Sequence, residues 1–395
     1  MREQKPTGRG AARRQAKATG LVRHKRHSRW REFWQPLLKV VAISLAVALV
    51  SGASVAAIAV SQLATKVAAN SVDISNGKKP AKAATAASFA GGFNVLVVGV
   101  DNSTAQGQSY GERDATLNDV NILLHVSADH KSAVVVSIPR DLVVAQPECT
   151  DPATGKVTPA ANAEAVNASY GRGGLGCVVS TVAALTGLDI PYAGLISFEG
   201  TVAMADAVGG VPICLNDAID DPYSGLNLPA GTSVVAGQTA LSYLRSRHGV
   251  GDGSDLSRIS SQQAYMSSLM RVMKSNSTLT DVSKITGLAN AAGTNLKLST
   301  SLANIPTMVS MALALKDIDL AKLVFVQFPS VDDPDNKAKL VPSEKLATEL
   351  FARMKTDQPF TLDDKSLGNG AQADPATPAP AATPAPAATP APAAT

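Results

Sequence analysis

Three short apolar runs dominate the pattern of hydrophobic and polar positions in the middle of the chain. They cover residues 93–100, 120–126 and 134–138 and are rich in valine, leucine and isoleucine. Continuous apolar runs of this length and composition are typical of strands that are buried on both faces. The pattern therefore predicts an α/β domain whose central sheet is covered by helices on both faces.

Helical periodicity and glycine stop signals indicate the elements that follow. Arg258, Gln262 and Tyr265 have the spacing of one helix face. Gly187 is placed to cap the helix that precedes it. The sequence predicts helices at residues 178–185, 198–208, 238–244 and 258–270, and strands at residues 211–215 and 323–328.

Residues 170–176 (YGRGGLG) match the G-x-G-x-x-G pattern of dinucleotide-binding proteins. That pattern requires a strand directly before the first glycine, and residues 167–170 lack strand character. We therefore interpret these glycines as part of a flexible loop and not as a nucleotide site.

The longest apolar run lies near the N-terminus, at residues 37–60, where Lys39 is the single charged residue. A helix of roughly 24 residues spans about 36 Å, which exceeds a hydrocarbon core of about 30 Å. Trp30, Phe33 and Trp34 precede it at the position of an aromatic belt. The run predicts a single transmembrane helix, and the basic residues before it predict a cytoplasmic N-terminus and an extracytoplasmic main domain at the cell membrane.

The 395 residues divide by composition into segments. Residues 1–36 form a basic cytoplasmic arm, residues 37–60 the membrane helix, and residues 61–90 a tether. The main domain is predicted at residues 91–275, and residues 276–365 are predicted to pack on the same domain. Residues 366–395 contain a Pro/Ala repeat that cannot bury a core, which predicts a disordered tail.

The net charge of +4 reflects basic residues that are concentrated in the first 31 positions. Nucleic-acid binding is one interpretation of such an arm. The adjacent apolar run favours a membrane flank instead, so no nucleic-acid partner is expected.

Cys149, Cys177 and Cys214 all lie in the part predicted to be outside the cell, where disulfides persist. Cys149 and Cys177 flank a segment rich in glycine and asparagine, so a bridge between them is preferred, although the sequence leaves the pairing open. The cysteine spacing does not match a zinc site. The histidines match neither a catalytic triad nor a metal-binding spacing.

Charged residues gather at the ends of the predicted strands. Asp101, Asp119 and Asp141 lie next to apolar runs, and arginines occur at positions 140, 245, 247 and 258. Two guanidinium groups about 6 Å apart repel by roughly 2.8 kcal/mol at an effective dielectric constant of 20, so a cluster of them needs anions. Phosphate oxygens fit the arginine fork, and carboxylates beside phosphates suit Mg²⁺.

Several motifs follow the order and approximate spacing of the LytR-CpsA-Psr family over about residues 92–275. They comprise residues 94–101, 118–119, 137–141 (SIPRD), 209–211 (GGV), 237–241 (GQTAL), 245–247 (RSR) and 255–258 (DLSR), with Gln262. The membrane helix with its short basic arm matches as well. The sequence therefore resembles this family.

The resemblance implies a mixed central sheet flanked by helices and an apolar groove for a polyprenyl chain. It also implies a Mg²⁺-dependent phosphotransferase that moves a glycopolymer from a polyprenyl-pyrophosphate carrier onto peptidoglycan. The implied catalytic residues are Asp101, Asp119, Arg140 and Asp141, with Asp101 and Asp119 associated with the metal. Arg140, Arg245, Arg247, Arg258 and Gln262 resemble the pyrophosphate-binding set, while Asp141 and Asp255 would orient arginines.

The sequence departs from the family pattern near two of these acids. Leu117 replaces a usual arginine, so Arg113 becomes a candidate for that phosphate contact, and no arginine directly follows Asp101. Ser261 also stands where arginine is frequent. Alternative interpretations are a non-catalytic polyprenyl-phosphate binder, a regulatory membrane protein of the transcriptional attenuator type, or a lipid pyrophosphatase.

Overall fold

The computed structural model describes residues 29–76, 91–101, 116–250, 253, 255–274, 282–316, 318–358 and 372–373. The chain divides after Ala59 into two compact units. The helices are α1 (Arg29–Ala69), α2 (Ser169–Thr186), α3 (Phe198–Val208), α4 (Gly237–Arg245), α5 (Asp255–Lys274), α6 (Val282–Asn295), α7 (Ile305–Lys316) and α8 (Glu344–Lys355).

The strands include all five that the sequence predicts, as β1, β2, β3, β9 and β14. In chain order they are β1 (Phe93–Val100), β2 (Asn118–Val126), β3 (Ala133–Ser137), β4 (Val143–Gln146), β5 (Cys149–Thr150), β6 (Val157–Thr158), β7 (Ala161–Ala165), β8 (Tyr192–Ile196), β9 (Val211–Leu215), β10 (Ile219–Asp221), β11 (Leu226–Leu228), β12 (Gly231–Val235), β13 (Leu296–Leu298), β14 (Leu323–Gln327), β15 (Ser330–Asp332), β16 (Leu340–Pro342) and β17 (Gln372–Ala373).

The described residues form a central sheet of seven strands in the order β13-β8-β1-β2-β3-β14-β17. The pairs β1/β8 and β3/β14 are parallel, and the remaining pairs are antiparallel. The sheet is therefore mixed. Two-stranded antiparallel sheets surround it, among them β10/β11, β12/β9 and β15/β16.

Successive side chains of the central strands enter two separate hydrophobic clusters, because side chains alternate across a strand. On one face, Leu96 and Val98 pack with Val178 of α2 and Phe351 of α8. On the other face, residues of β2, β3 and β14 pack with Met311 of α7. Helices thus cover both faces of the sheet, as the continuous apolar runs predicted.

A third cluster lies beside the sheet and joins α3 and α4 to the strand pairs β9/β12 and β10/β11. Val211, Val235 and Ala240 are fully buried in it, and Tyr243 and Tyr265 complete it. This cluster fixes the C-terminal end of α4, at Arg245, against the hairpin turn that follows Asp221. Both places carry residues of the candidate site.

The apolar segment at residues 37–60 lies inside α1. Of the helices in the described residues, none combines the length and apolar character that crossing a membrane requires. The transmembrane span, the cytoplasmic N-terminus and the extracytoplasmic domain therefore stay predictions.

The first residues of the predicted tether, which was expected at residues 61–90, are helical and packed. Residues 61–69 continue α1, Val67 is buried, and Asn70 Nδ2 donates a hydrogen bond to the Gly293 carbonyl at 2.9 Å. Val72 forms a bridge with Ser299. These residues belong to the folded domain, which thus starts before residue 91; residues 77–90 lie outside the described residues.

The glycine run at residues 170–176 is helical and not a loop. It forms the first half of α2, which is kinked at Gly173 and Gly174, where the backbone leaves helical geometry. Gly174 has φ +64°, a conformation that a residue with a side chain rarely adopts. The glycines therefore permit a bend in a helix, which explains why a loop was predicted for them.

The C-terminal part packs on the domain, since β14 joins the sheet and α8 enters the first core cluster. Of the predicted tail, the described residues are β17, which pairs with β14. Cys149 and Cys177 form a disulfide with a Cα–Cα distance of 5.4 Å, the pairing that the sequence favours, and Cys214 is a free, exposed thiol.

Candidate active site

Asp119 occupies a bulge at the end of β2. The register between β1 and β2 shifts there, because Gly99 pairs with Val120 and Val100 pairs with Asn118. A bulge of this kind re-aims the side chain of the extra residue. Asp119 is consequently directed toward Arg140, whose Nη1 lies 2.6 Å from Asp119 Oδ1.

The side chain of Asn118 stabilises this bulge. Its buried side chain donates hydrogen bonds to Asn121 Oδ1 at 2.7 Å and to the Val166 carbonyl at 3.1 Å, and it accepts one from the Tyr170 N–H at 3.1 Å. The amide thereby ties β2 to the first turn of α2. Buried polar groups that are satisfied in this way hold a backbone in one conformation.

Arg140 follows β3 and Pro139, which ends the strand. Besides the contact with Asp119, its Nε donates to Asp141 Oδ2 at 3.2 Å. The Arg140 carbonyl accepts a hydrogen bond from Asn167 N–H at 3.0 Å. The guanidinium is therefore held between two carboxylates at a fixed position.

Asp141 links Arg140 to a distant part of the chain. Its Oδ1 lies 2.7 Å from Lys339 Nζ, in the hairpin that joins β15 and β16. Burial raises the pKa of Asp141, but the hydrogen bond from Lys339 and the charges of Arg140 and Lys339 outweigh burial and hold the pKa below its usual value. Asp141 is thus a carboxylate at neutral pH.

Arg245 and Arg247 lie on either side of the end of α4. Arg245 is the last residue of the helix, Ser246 is extended, and the Arg245 guanidinium lies 4.5 Å above the Phe198 ring centroid. Arg245 therefore ends a helix, whereas Arg247 follows an extended residue. Both arginines nonetheless line the same cavity.

Asp221 holds this segment in place. Its buried carboxylate accepts hydrogen bonds from Ser246 Oγ at 2.7 Å, Arg247 N–H at 3.1 Å, Tyr223 N–H at 3.0 Å and Ser224 N–H at 3.4 Å. Burial acts to raise the pKa of Asp221, but these four donors lower it to about 2. The carboxylate therefore stays ionised and anchors the backbone on two sides.

Arg258 and Gln262 lie one turn apart on α5, as their spacing predicted. Arg258 is 6% exposed and its Nη2 donates to the Asp119 backbone carbonyl at 3.2 Å. Gln262 Nε2 donates to the Leu244 carbonyl at 3.1 Å. These bonds connect α5 with the β2 bulge and with α4.

These side chains converge on one cavity of about 360 Å³, which we call the arginine cavity. Its positive charge, and the guanidinium fork geometry, suit a phosphate-bearing anion. The residues lining it are Asp119, Val120, Arg140, Phe198, Asp221, Tyr223, Ser224, Leu244, Arg245, Arg247, His248, Arg258 and Gln262.

A second cavity of about 380 Å³, the apolar groove, adjoins the arginine cavity. It lies between the sheet and helices α3 and α5, and its lining is mostly apolar, with Val95, Val97, Met204, Leu269 and Leu302 among its residues. The two cavities share Asp119, Val120, Phe198, Leu244, Arg245 and Gln262. A ligand with a charged head and a long apolar chain fits this combination.

Asp101, Arg113 and Asp255 are the remaining predicted site residues. Asp101 follows β1 and is 4% exposed, and its Oδ1 accepts a hydrogen bond from Leu117 N–H at 3.2 Å. It therefore lies at the same end of the β1/β2 pair as Asp119. Arg113 lies outside the described residues, as does the side chain of Asp255.

The arrangement defines an α/β protein that can bind an amphipathic anion at the end of its central sheet. The sequence model of the LytR_cpsA_psr family matches residues 57–356, and the chain belongs to this family.

Individual relatives agree with that assignment. The cell wall biosynthesis protein LcpA of Corynebacterium glutamicum is 35% identical over 229 residues, which are 51% of this chain and 43% of LcpA. The polyisoprenyl-teichoic acid–peptidoglycan teichoic acid transferase TagT of Bacillus subtilis is 24% identical over 237 residues, which are 58% of this chain and 67% of TagT. The chain thus spans about half the length of several curated relatives that it matches.

Solved structures share the fold. The LytR-Csp2A-Psr enzyme from Actinomyces oris superposes with a TM-score of 0.52 at 20% identity, over 72% of this chain and 94% of that protein. TagT bound to LIIa-WTA superposes with a TM-score of 0.53 at 20% identity, over 73% of this chain and 99% of TagT.

Sequence reasoning missed several residues of this site, among them Asp221, Phe198, Tyr223, His248 and Lys339. Asp221 and Tyr223 flank a proline in a turn-rich passage, and that composition was a usable signal for a turn organised by an acidic side chain. Phe198 and Lys339 carry no local signal, because their roles depend on contacts across the fold.

Proposed function

We propose that this protein is a phosphotransferase that moves a glycopolymer from a polyprenyl-pyrophosphate carrier onto peptidoglycan. The observation that carries the proposal is the junction of the arginine cavity with the apolar groove. Arg140, Arg245, Arg247 and Arg258 would bind the diphosphate while the groove holds the prenyl chain. The names of relatives such as TagT support the same reaction and acceptor.

The proposed step is a displacement at phosphorus. A hydroxyl oxygen of the acceptor sugar bonds to the phosphorus that carries the glycan, and the bond from that phosphorus to the bridging oxygen breaks. Prenyl monophosphate leaves with the negative charge. Catalysis of this kind depends mainly on positioning and on neutralising developing charge, which the four guanidinium groups of the arginine cavity would supply.

The proton of the acceptor hydroxyl must pass to a base. Among the described residues, two carboxylates line the arginine cavity, those of Asp119 and Asp221. Asp221 is engaged by four donors and its pKa is lowered to about 2, so it is a poor base. We therefore assign the role of base to Asp119, through the carboxylate oxygen that does not contact Arg140, while Asp141 positions Arg140.

The donor set at the end of β1 and β2 fits Mg²⁺. This ion takes oxygen ligands and is commonly held by one or two carboxylates together with substrate phosphates. Asp101 would supply the protein carboxylate, since Asp119 is assigned the role of base. The described residues contain no group of three or more metal-ligating side chains, so the diphosphate would complete the ligand set. When bound, Mg²⁺ neutralises charge on the phosphates.

Membrane attachment through residues 37–60 also belongs to this proposal. Leu38, Ile43 and Val50 of α1 are exposed, and the sequence before them is basic. The carrier lipid is itself held in a bilayer, which favours an anchored enzyme. Co-sedimentation of the full chain with vesicles, compared with a chain lacking residues 1–60, tests the attachment.

The deciding experiment supplies purified protein with a prenyl-diphosphate-linked glycan, peptidoglycan and Mg²⁺. We expect glycan to become attached to peptidoglycan and prenyl monophosphate to be released, and EDTA to reduce the rate. Release of prenyl monophosphate without attachment would indicate a lipid pyrophosphatase. Tight binding without any turnover would indicate a non-catalytic binder.

A further inference from the structure

Tyr223 projects from the rim of the arginine cavity. Its side chain is 82% exposed, and its ring centroid lies 4.4 Å from that of His248 with 45° between the ring planes. Both residues line the arginine cavity, and neither is among the described residues that line the apolar groove. A ligand group that lies in the arginine cavity and does not enter the groove can therefore contact both rings.

Asp221 holds the backbone of the two segments that carry the Tyr223 and His248 rings. Its Oδ1 accepts the N–H of Tyr223 at 3.0 Å, and its Oδ2 accepts the N–H of Arg247, the residue before His248, at 3.1 Å. One buried carboxylate thus joins the β10/β11 turn to the segment after α4. The two rings are presented together by a rigid support, and a pre-ordered surface binds a ligand without the entropic loss of being ordered.

We infer that Tyr223 and His248 form a stacking platform for a pyranose ring attached to, or attacking, the bound diphosphate. This inference rests on the proposed function, because it uses the diphosphate to place the sugar. If the prenyl chain leaves the diphosphate toward the groove, the sugar on the other phosphate remains in the arginine cavity, whose lining includes both rings.

The chemistry of the pair suits a sugar. One face of a pyranose carries C–H groups that are weakly positive, and the face of an aromatic ring is negative. Stacking on the aromatic rings buries the apolar face of the sugar, while the hydroxyl groups of the sugar remain near polar cavity residues such as Ser224 and Arg247. An exposed tyrosine also offers a large contact area with little side-chain entropy to lose.

Two sugars can occupy this position: the first sugar of the donor, or the acceptor sugar of peptidoglycan. The first test measures donor binding by the full chain, using farnesyl diphosphate and farnesyl-diphospho-N-acetylglucosamine as probes. The variants are Tyr223→Ala and Tyr223→Phe, and Val157→Ala serves as a control at an exposed apolar residue distant in sequence.

For a donor-sugar platform we expect Tyr223→Ala to weaken binding of the sugar-bearing probe roughly tenfold, the upper end for an aromatic contact. Binding of farnesyl diphosphate should change less than about twofold. Tyr223→Phe keeps the ring and should retain both affinities, as should Val157→Ala. Arg245→Ala, by contrast, should weaken both probes.

The second test measures transfer at varied peptidoglycan concentration. If the acceptor sugar occupies the platform, Tyr223→Ala leaves both donor affinities intact and raises KM for the acceptor, and Tyr223→Phe restores it. The inference is overturned if Tyr223→Ala alters neither donor binding nor acceptor KM, or if it weakens both probes equally. In either case the proposed function survives, provided that Arg245→Ala still weakens farnesyl diphosphate binding. If the unaltered protein binds neither probe, the proposed function and the platform fail together.

Discussion

Individual charged residues in this site are held by more than one partner. Arg140 donates to Asp119 and Asp141, and Asp221 accepts from four donors on two segments. A fixed guanidinium binds a phosphate without first having to be ordered, which is why such arrangements favour catalysis. The consequences can be tested one residue at a time.

Arg140→Lys should lower kcat/KM for glycopolymer transfer by roughly 10- to 150-fold, the equivalent of one charged hydrogen bond of about 1.5–3 kcal/mol. Lysine keeps the charge, but its single ammonium group cannot reproduce the planar fork between Asp119 and Asp141. The matched control is Arg353→Lys, in an exposed pair with Glu349 on α8. Equal activities of the two variants would contradict the role assigned to Arg140.

Asp221→Asn should destabilise the protein by about 2 kcal/mol at pH 7, the value expected for a pKa lowered from 3.8 to about 2. A carboxyl whose pKa is lower in the folded state stabilises the fold above its unfolded pKa, and this stabilisation is lost as the pH falls through the folded pKa. The difference in unfolding free energy between the two proteins should therefore be full above pH 5 and shrink between about pH 4 and pH 2. Urea unfolding at pH 7 and pH 3 measures this difference in unfolding free energy. A difference that does not change with pH would show that it does not arise from the ionisation of Asp221.

At the scale of secondary structure, the site is assembled from the ends of elements that are remote in the chain. The β2 bulge supplies Asp119, the residues after β3 supply Arg140, and the β15/β16 hairpin supplies Lys339. Lys339 and Asp141 are 198 residues apart in sequence. The hairpin is held against this end of the fold by a bridge between Leu142 and Leu340.

Lys339→Met should reduce kcat/KM by roughly 2- to 5-fold, since a partly exposed ion pair is worth about 0.5–1 kcal/mol. The more specific expectation concerns pH. Without the lysine, the pKa of Asp141 rises, so the acidic limb of the pH–rate profile should move to higher pH. Lys339→Arg should restore most of the profile, and Lys345→Met, on the exposed side of α8, should not alter it. An unchanged acidic limb in Lys339→Met would show that Asp141 does not depend on the hairpin.

At the scale of the whole molecule, the fold was more predictable than the site. The strands β1, β2 and β3 follow directly from apolar runs, because a sheet covered on both faces needs apolar side chains at every position. The convergence of Arg140, Arg245, Arg247 and Arg258 agrees with the motif spacing. The bulge at Asp119 could not be predicted, since it depends on the register with β1, nor could Lys339, whose partner is distant.

The kink in α2 illustrates why local rules fail in a particular place. Gly173 and Gly174 have poor helix propensity, so the sequence indicated a loop. In the fold, a Cβ on Gly173 would lie 3.0 Å from Cys149 Cβ and 3.2 Å from Cys177 Cβ. The glycine is thus needed for the close approach of α2 to the disulfide, and tertiary packing outweighs propensity.

That disulfide should contribute to the stability of the whole domain. It closes a segment of 28 residues, for which the chain-entropy model gives a stabilisation of roughly 3–4 kcal/mol. The double variant Cys149→Ser/Cys177→Ser should lose about that amount in urea unfolding, and dithiothreitol should destabilise the unaltered protein but not the variant. Cys214→Ser is the matched control, because this thiol is exposed and free, and it should unfold like the unaltered protein.

Because the first turn of α2 holds Asn118 next to Asp119, the double variant should also lose transfer activity at temperatures below its unfolding transition. Full activity there would show that the bulge at Asp119 is maintained without the disulfide.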